Sequence, residues 1–239
     1  PWIECNLKKI KERKVELVRR QSGGGCVFHD GGNLNFSFIY PVKDFHKNLN
    51  NTLIINALSS FDIDAYASGR SDLLVNSDEG VKKFSGSAFK QKRDRSFHHG
   101  TLLIDSNLTE LNKYLRPREL DILESKSIAS KRADVVNLKD LNSSLTESKI
   151  ILSLKEEIER HYGHKSTLVY IDSFNPCQYY KDLTSWNWRW GETPLFKVNL
   201  GGHTLDFKKG HLVDIDDKDI KKNLLDIKLS SKEILEKRM

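Results

Sequence analysis

Cysteine is scarce in this chain. Cys5, Cys26 and Cys177 are an odd count and include no C-x-x-C pair, so neither a disulfide framework nor a cysteine zinc site is indicated. A reducing interior is expected. Long apolar runs are missing too: no stretch approaches the roughly 20 apolar residues of a membrane-spanning helix. The opening residues show no succession of charged, apolar and small residues of the signal-peptide kind, and neither secretion nor a membrane partner is expected. Charge of one sign is not in large excess. The 39 basic and 33 acidic residues leave a net +6, spread along the chain rather than clustered, which does not favour a nucleic-acid-binding surface. An acidic protein partner or a phosphate-bearing substrate accounts for it as well. What is present is 38% hydrophobic residues in 239, enough for a full domain, or one and part of another, with a real core.

The apolar spacing predicts mixed elements. "VELVRR" (15–20) reads as a strand, and "NLNFSFIY" (33–40) alternates Leu34, Phe36, Phe38 and Tyr40 with polar residues, so the glycines between them are expected to join two strands. In "NLNNTLIINALSSF" the positions Leu49, Leu53, Ala57 and Phe61 recur every four residues with Ile54 and Leu58 alongside, one face of a helix lying on a sheet. "DLLV" and "KKFSGSAFKQ" flank the turn-forming "NSDEG", and "FHHGTLLI" reads as the next strand, which predicts antiparallel pairing. "LTELNKYL" and "TESKIILSLKEEIERHYG" read as helices, the second opening at Thr146 as N-cap and closing at Gly163 as C-cap. "LKDLNSSLTESK" reads as a polar connector. After about residue 190, "LFKVNL", "HTLDFKKGHLVDI" and a lysine-rich tail predict a final hairpin and a short helix. There is no strand–helix alternation and no internal repeat. The fold class is therefore α+β, with a mixed, largely antiparallel sheet packed against helices.

The stretch "RQSGGGCVFHD" (20–30) places three adjacent glycines between polar residues. A tight turn is the bland explanation, and a Walker phosphate loop is excluded because no G-K-[ST] follows. The coincidence of four stretches in order is more specific: "RRQSGGGCVFHDGGNLNFSF", "SGRSDLLV", "KKFSGSAFKQKRDRSFHHGTLL" and "TSWNWRWGETPLF". Together they closely resemble the lipoate-protein ligase A and lipoyltransferase family over nearly the whole chain, which implies the biotin/lipoate ligase catalytic fold. The implied chemistry activates lipoate on ATP to lipoyl-AMP, then moves the lipoyl group to a carrier lysine. ATP and lipoate are then substrates, with Mg2+ assisting.

The resemblance assigns roles residue by residue. Ser22, Gly23, Gly24, Gly25, Cys26, Val27 and Phe28 match the segment that wraps the adenylate and lipoyl chain, where missing Cβ atoms let backbone amides approach. Arg20 matches a nucleotide-contacting arginine. Lys83 matches the essential lysine, whose ammonium offsets the charge developing at phosphorus. Lys82 competes with it, but adjacent strand residues face opposite sides and alignment with "SGSA" selects Lys83. Asp72 matches an aspartate expected to reach Mg2+ or the nucleotide. His29, Asn33, Ser85, Gly86 and His99 complete the implied substrate and ATP site. Ser71 stands where bacterial ligases usually carry asparagine, a departure that bears on activation rather than transfer.

Several residues invite other roles. His29, Asp30, His98 and His99 suggest a metal or a catalytic dyad, yet no acidic ligand follows at zinc spacing, and structural hydrogen bonding is favoured. Cys26 is a candidate thioester nucleophile, but small-residue packing is preferred. Trp186, Trp188 and Trp190 alternate as on a half-buried strand and are expected to pack at the core and domain edge. The expected boundaries are a catalytic domain over 1–214, lacking the family's N-terminal part, and a short helical tail over 215–239. The resemblance implies a monomer that acts on lipoyl domains of 2-oxoacid dehydrogenase complexes and on the glycine cleavage H protein. It favours a mitochondrial location, with the cytoplasm as alternative. The competing functions are a lipoyl or octanoyl transferase without its own ATP step and, far behind, a nucleic-acid-binding module.

Overall fold

In the computed structural model, which describes residues 1–2, 4–69, 72–115, 121–125, 133–171, 178–200 and 202–217, the chain begins with helix α1 (Leu7–Glu12). Its N-cap Asn6 accepts from the Lys9 amide. There follow β1 (Asn33–Pro41), α2 (Lys47–Ser59), β2 (Ala65–Ala67), β3 (Asp72–Ser77), β4 (Gly80–Gln91) and β5 (Arg95–Leu103). Then come α3 (Leu108–Tyr114), β6 (Asp121–Ser125), α4 (Leu138–Leu141), α5 (Glu147–Tyr162), α6 (Gln178–Thr184), β7 (Phe196–Leu200), β8 (His203–Lys208) and β9 (His211–Ile215). The strands make two antiparallel sheets, ordered β1-β5-β4-β3-β2 and β6-β7-β8-β9.

Each element follows from its residues. Along β1 the partly buried Phe36, Phe38 and Tyr40 alternate with exposed Asn35, Ser37 and Ile39, so one face packs and the other is wet. Helix α2 buries Leu53, Ile54, Ala57 and Leu58 along one stripe. Helix α5 starts where the Thr146 hydroxyl accepts from the Lys149 amide and stops at Gly163, whose φ of 71° is left-handed. The first core joins Ile54 and Leu58 to Leu73, Val75, Phe84, Leu102, Leu138, Leu145 and Ile150. A second core joins Trp2, Cys5 and Leu7 to Phe196, Val198, Leu205 and Phe207 of the second sheet. Burying each such large apolar side chain contributes roughly 1.5–3 kcal/mol.

Four expectations are corrected. Residues 15–20 form no strand: the segment is tethered by side chains, with Trp188 Nε1 donating to the Arg19 carbonyl at 2.8 Å and Arg19 Nη2 to Thr193 Oγ1 at 3.0 Å. The glycines thus follow an irregular segment and precede one strand. The connector read as polar hides Leu138 and Leu145, both fully buried, and contains α4. The three tryptophans lie on or beside a helical turn, Asn187–Gly191, whose spacing sends each ring to a different neighbour. Trp190 packs on Trp2 (centroids 5.0 Å) and Trp186 on His211 (4.9 Å). The final hairpin is a three-strand meander that pairs with β6. The lysine-rich tail beyond residue 217 lies outside the described residues, as do Ser71 and Cys177.

His98 shows how α2 is locked to the sheet. The ring is fully buried, Nδ1 accepts from Asn50 Nδ2 at 3.1 Å, and Nε2 donates to Ser87 Oγ at 2.8 Å. Both ring nitrogens are used only by the neutral form. Burial, then the charges of Lys47 and His99, lower its pKa to about 4. At pH 7 the ring is neutral whether folded or unfolded; at pH 5 the unfolded chain binds a proton that the folded state refuses. Stability is therefore lost as pH falls from about 6.5 toward about 4. Between pH 7 and 5 the wild type should lose about 2 kcal/mol more unfolding free energy than His98→Gln. Urea titrations at the two pH values read this, and equal losses would contradict the buried neutral ring.

Candidate active site

Strand β4 changes partner along its length. It pairs with β3 from Gly80 to Gly86 and with β5 only from Ser87 to Gln91. On the side β5 has left, the Lys83 amide donates to the Asp134 carbonyl at 2.8 Å and the Lys83 carbonyl accepts from the Val136 amide at 3.0 Å, a parallel bridge. The register slips opposite Leu73/Leu74, where Phe84 has no partner across the ladder, and such bulges re-aim side chains near functional sites. Strand divergence and bulge together open a cavity of about 370 Å³ whose walls include Lys83, Ser85, Gly86, Thr101, Leu103, Leu111 and Val135.

Lys83 projects into this cavity, and its Nζ lies 2.8 Å from Asp72 Oδ1, both side chains about a quarter exposed. Lys82 turns the other way and pairs with Glu79 at 3.1 Å. Gly86 leaves room for the ammonium: a Cβ there would stand 3.1 Å from Lys83 Nζ. Ser85 Oγ is buried without a hydrogen-bond partner among the described residues. A cation, an unpaired hydroxyl and an apolar wall meet at one place. That arrangement suits an amphipathic acid with its carboxylate at the lysine.

The glycine segment closes the opposite wall. Cys26, Val27 and Phe28 line the same cavity, with the Phe28 ring 5.3 Å from Tyr114 of α3. Behind the segment is a second cavity of about 370 Å³, lined by Trp2, Arg19, Arg20, Ser22, Gly23, Gly24, Gly25 and Cys26. Arg20 Nη2 donates to the Gly23 carbonyl at 2.9 Å and Nε to Ser22 Oγ at 3.1 Å. The Ser22 hydroxyl has one proton left for His99 Nε2, 2.5 Å away. Burial, then the charges of Arg20 and His29, lower the His99 pKa and keep it the acceptor this chain needs. The thiol of Cys26 is lowered to about 7, chiefly by the hydrogen bond from Cys5.

Most of the expected site residues therefore surround two cavities sharing one wall. Four do not line either cavity. Asn33 turns to Asn35 Oδ1 at 3.0 Å, and His29 has its ring nitrogen 3.5 Å from Asn35 Nδ2, both at the approach to β1, while His99 and Asp72 reach the cavities only through their contacts with Ser22 and Lys83. Asp30 is a loop brace: its carboxylate accepts from the Gly32 and Asn107 amides. Asp72, expected at a metal or nucleotide, is paired with Lys83. Among the described residues no group of three His, Cys, Asp or Glu could hold a metal. Sequence reasoning missed Asp134 and Val135, whose parallel contact with Lys83 has no periodic signal. It also missed Arg19, for which the doubled arginine was a visible cue.

Comparison with known proteins gives the family. The family model described as the lipoyl protein ligase A/B catalytic domain matches residues 1–159, and the chain belongs to that family. Lipoate-protein ligase A of Psychrobacter cryohalolentis is 44% identical over 211 residues, covering 84% of this chain and 61% of that protein. Its Bdellovibrio bacteriovorus counterpart is 39% identical over 218 residues, covering 88% of this chain and 64% of that protein. The chain thus spans less than two thirds of either. A crystal structure of P. falciparum LipL1 in complex with lipoate superposes with a TM-score of 0.69 at 32% identity, covering 98% of this chain and 74% of that one. The fold is that of the lipoate ligases.

Gly24 carries a local prediction. Its φ is +105°, and a Cβ there would stand 2.8 Å from Arg20 Nη2, whereas a Cβ at Gly23 meets nothing within 4 Å. Gly24→Ala should cost about 1–3 kcal/mol of stability and Gly23→Ala much less. Chemical denaturation of the two variants checks the contrast; equal stabilities would contradict the backbone described.

Proposed function

We propose that this chain is the catalytic part of a lipoate-protein ligase, which activates lipoate with ATP to lipoyl-AMP and passes the lipoyl group to a lysine of a carrier domain. The observation that carries the reading is the Lys83 ammonium, held by Asp72 on the wall of a cavity that also has an apolar side and is closed by the glycine segment. The lipoate relative from P. falciparum supports the acid. The carboxylate attacks the α-phosphorus, the new C–O–P bond forming as the bond to pyrophosphate breaks. Two anionic groups must meet, and a fixed cation beside both offsets their repulsion and the charge developing on phosphorus. The hydrocarbon chain lies against Phe28, Leu103, Leu111 and Val135. Arg20 and the glycine amides bind phosphate oxygens, and the Ser85 hydroxyl serves an adenylate oxygen. Mg2+ would be held chiefly by the triphosphate, as an ion bound by substrate phosphates with few carboxylates, and Asp72, beside Lys83, is the carboxylate that could contact it.

In the second half, the amine of the target lysine attacks the acyl carbonyl and AMP leaves. The acceptors we assign are the lipoyl domains of 2-oxoacid dehydrogenase complexes and the glycine cleavage H protein, with a monomeric enzyme. A mitochondrial location gains no support from the relatives, two of which are bacterial. One observation favours a second reading, a transferase using a cysteine thioester: Cys26 lines both cavities with its thiol lowered to about 7.

Pyrophosphate release from lipoate, ATP and Mg2+ separates the two. In the ligase, Lys83→Met keeps the stem's packing and removes the charge, so release should fall about 100-fold or more, while Lys82→Met stays near wild type. A thioester enzyme would release no pyrophosphate, and Cys26→Ala would abolish transfer. Wild-type release by Lys83→Met would overturn the assignment.

A further inference from the structure

Cys5 and Cys26 are 21 residues apart in sequence, yet their sulfurs lie 3.4 Å apart as free thiols. The two sit in unlike surroundings. Cys5 is buried, its amide bonded to the Pro1 carbonyl at 2.8 Å, and packs in the second core with Trp2 and Leu7. Cys26 is half-buried on the irregular glycine segment and lines both cavities. One sulfur is anchored; the other is carried by the wall of the proposed active site.

We propose that Cys5 and Cys26 form a reversible, peroxide-sensitive thiol–disulfide site that controls the position of the glycine segment. The inference rests on the ligase reading for its effect on activity, but not for its chemistry. Cys26 is the attacking sulfur, because the Cys5 S–H donates to it and stabilises its thiolate, as Arg20 does from nearby. The Cys26 thiolate attacks one oxygen of a peroxide, the O–O bond breaks, and a sulfenic acid and water result once a proton is taken up. The Cys5 thiol then attacks the sulfenic sulfur; the S–S bond forms and a second water leaves. Two thiols are oxidised by two electrons in all, and the peroxide is reduced by two.

Geometry makes the step consequential. A disulfide needs its sulfurs about 2.05 Å apart, so the pair must close by roughly 1.4 Å. Cys5 is the fixed partner, so the glycine segment moves toward the Trp2 cluster and away from Lys83 across the cavity. Displacing a substrate-positioning wall by about 1 Å costs on the order of 100-fold in rate. The oxidised enzyme is the inactive form, and a dithiol restores it. Free thiols in a reducing compartment agree with this resting state.

The test uses the full-length protein, fully reduced and then exposed to hydrogen peroxide, with Cys177→Ser as background to prevent other pairings. Peptide mass mapping should show a Cys5–Cys26 cross-link that dithiothreitol removes. Pyrophosphate release should fall at least about tenfold on oxidation and return on reduction. Cys5→Ser should match wild-type release when reduced, form no cross-link, and leave Cys26 trapped by dimedone as a sulfenic acid. A Cys26 that stays a thiol under peroxide, or a cross-link that leaves release unchanged, would overturn the proposal. If the reduced protein releases no pyrophosphate, the ligase reading fails, while the cross-link and the dimedone label still decide the thiol chemistry.

Discussion

Lys83 is constrained from three directions, and the rest of the site is arranged around that constraint. Its backbone is bonded into β4 between β3 and the 134–136 segment, its ammonium is paired with Asp72 at 2.8 Å, and the absent side chain of Gly86 leaves the space it occupies. A lysine on an ordinary surface strand would sample many rotamers and hold no fixed charge. Here the departure of β5 from β4 creates a cavity, and the charge stands on its wall. The first core, with Phe84 fully buried at the adjacent position, is what keeps that stretch of β4 in place.

The glycine segment is the complementary constraint. It is held by few backbone bonds and many side-chain ones: Arg20 to Ser22 and Gly23, Ser22 to His99, Lys90 to the Gln21 carbonyl, and the Cys26 amide to the Glu4 carboxylate. Such a segment can approach a ligand closely and can also be displaced, which strands on either side would forbid. The same feature makes it suited to wrapping an adenylate and responsive to a nearby sulfur. The proposed binding and the proposed control would share one structural cause.

Much of this was legible in the sequence where the pattern was local. The alternation of Phe36, Phe38 and Tyr40, the four-residue spacing in α2 and the caps of α5 at Thr146 and Gly163 each report short-range geometry. The opposite orientation of Lys82 and Lys83 was readable by parity because 80–83 is regular strand. What escaped was non-local or irregular. The spacing of Trp186, Trp188 and Trp190 imitates a strand, but a single helical turn anchored by Ser185 and Asn187 uses the rings for three separate contacts. "VELVRR" has strand-like composition and no ladder to join, since Arg19 is held by Trp188, Arg189 and Thr193, far along the chain. The parallel bridge from Lys83 to Val135 leaves no trace in either segment. Leu138 and Leu145 were masked by polar neighbours, although two leucines seven apart can bury without periodic company.

The most direct test of the account is a crystal structure with a non-hydrolysable lipoyl-adenylate analogue bound. The account predicts the analogue's phosphate within hydrogen-bond distance of Lys83 Nζ and of amides in the glycine segment, with the acyl chain running past Phe28, Leu103 and Leu111. An analogue lodged elsewhere, with Lys83 still paired only to Asp72, would contradict it.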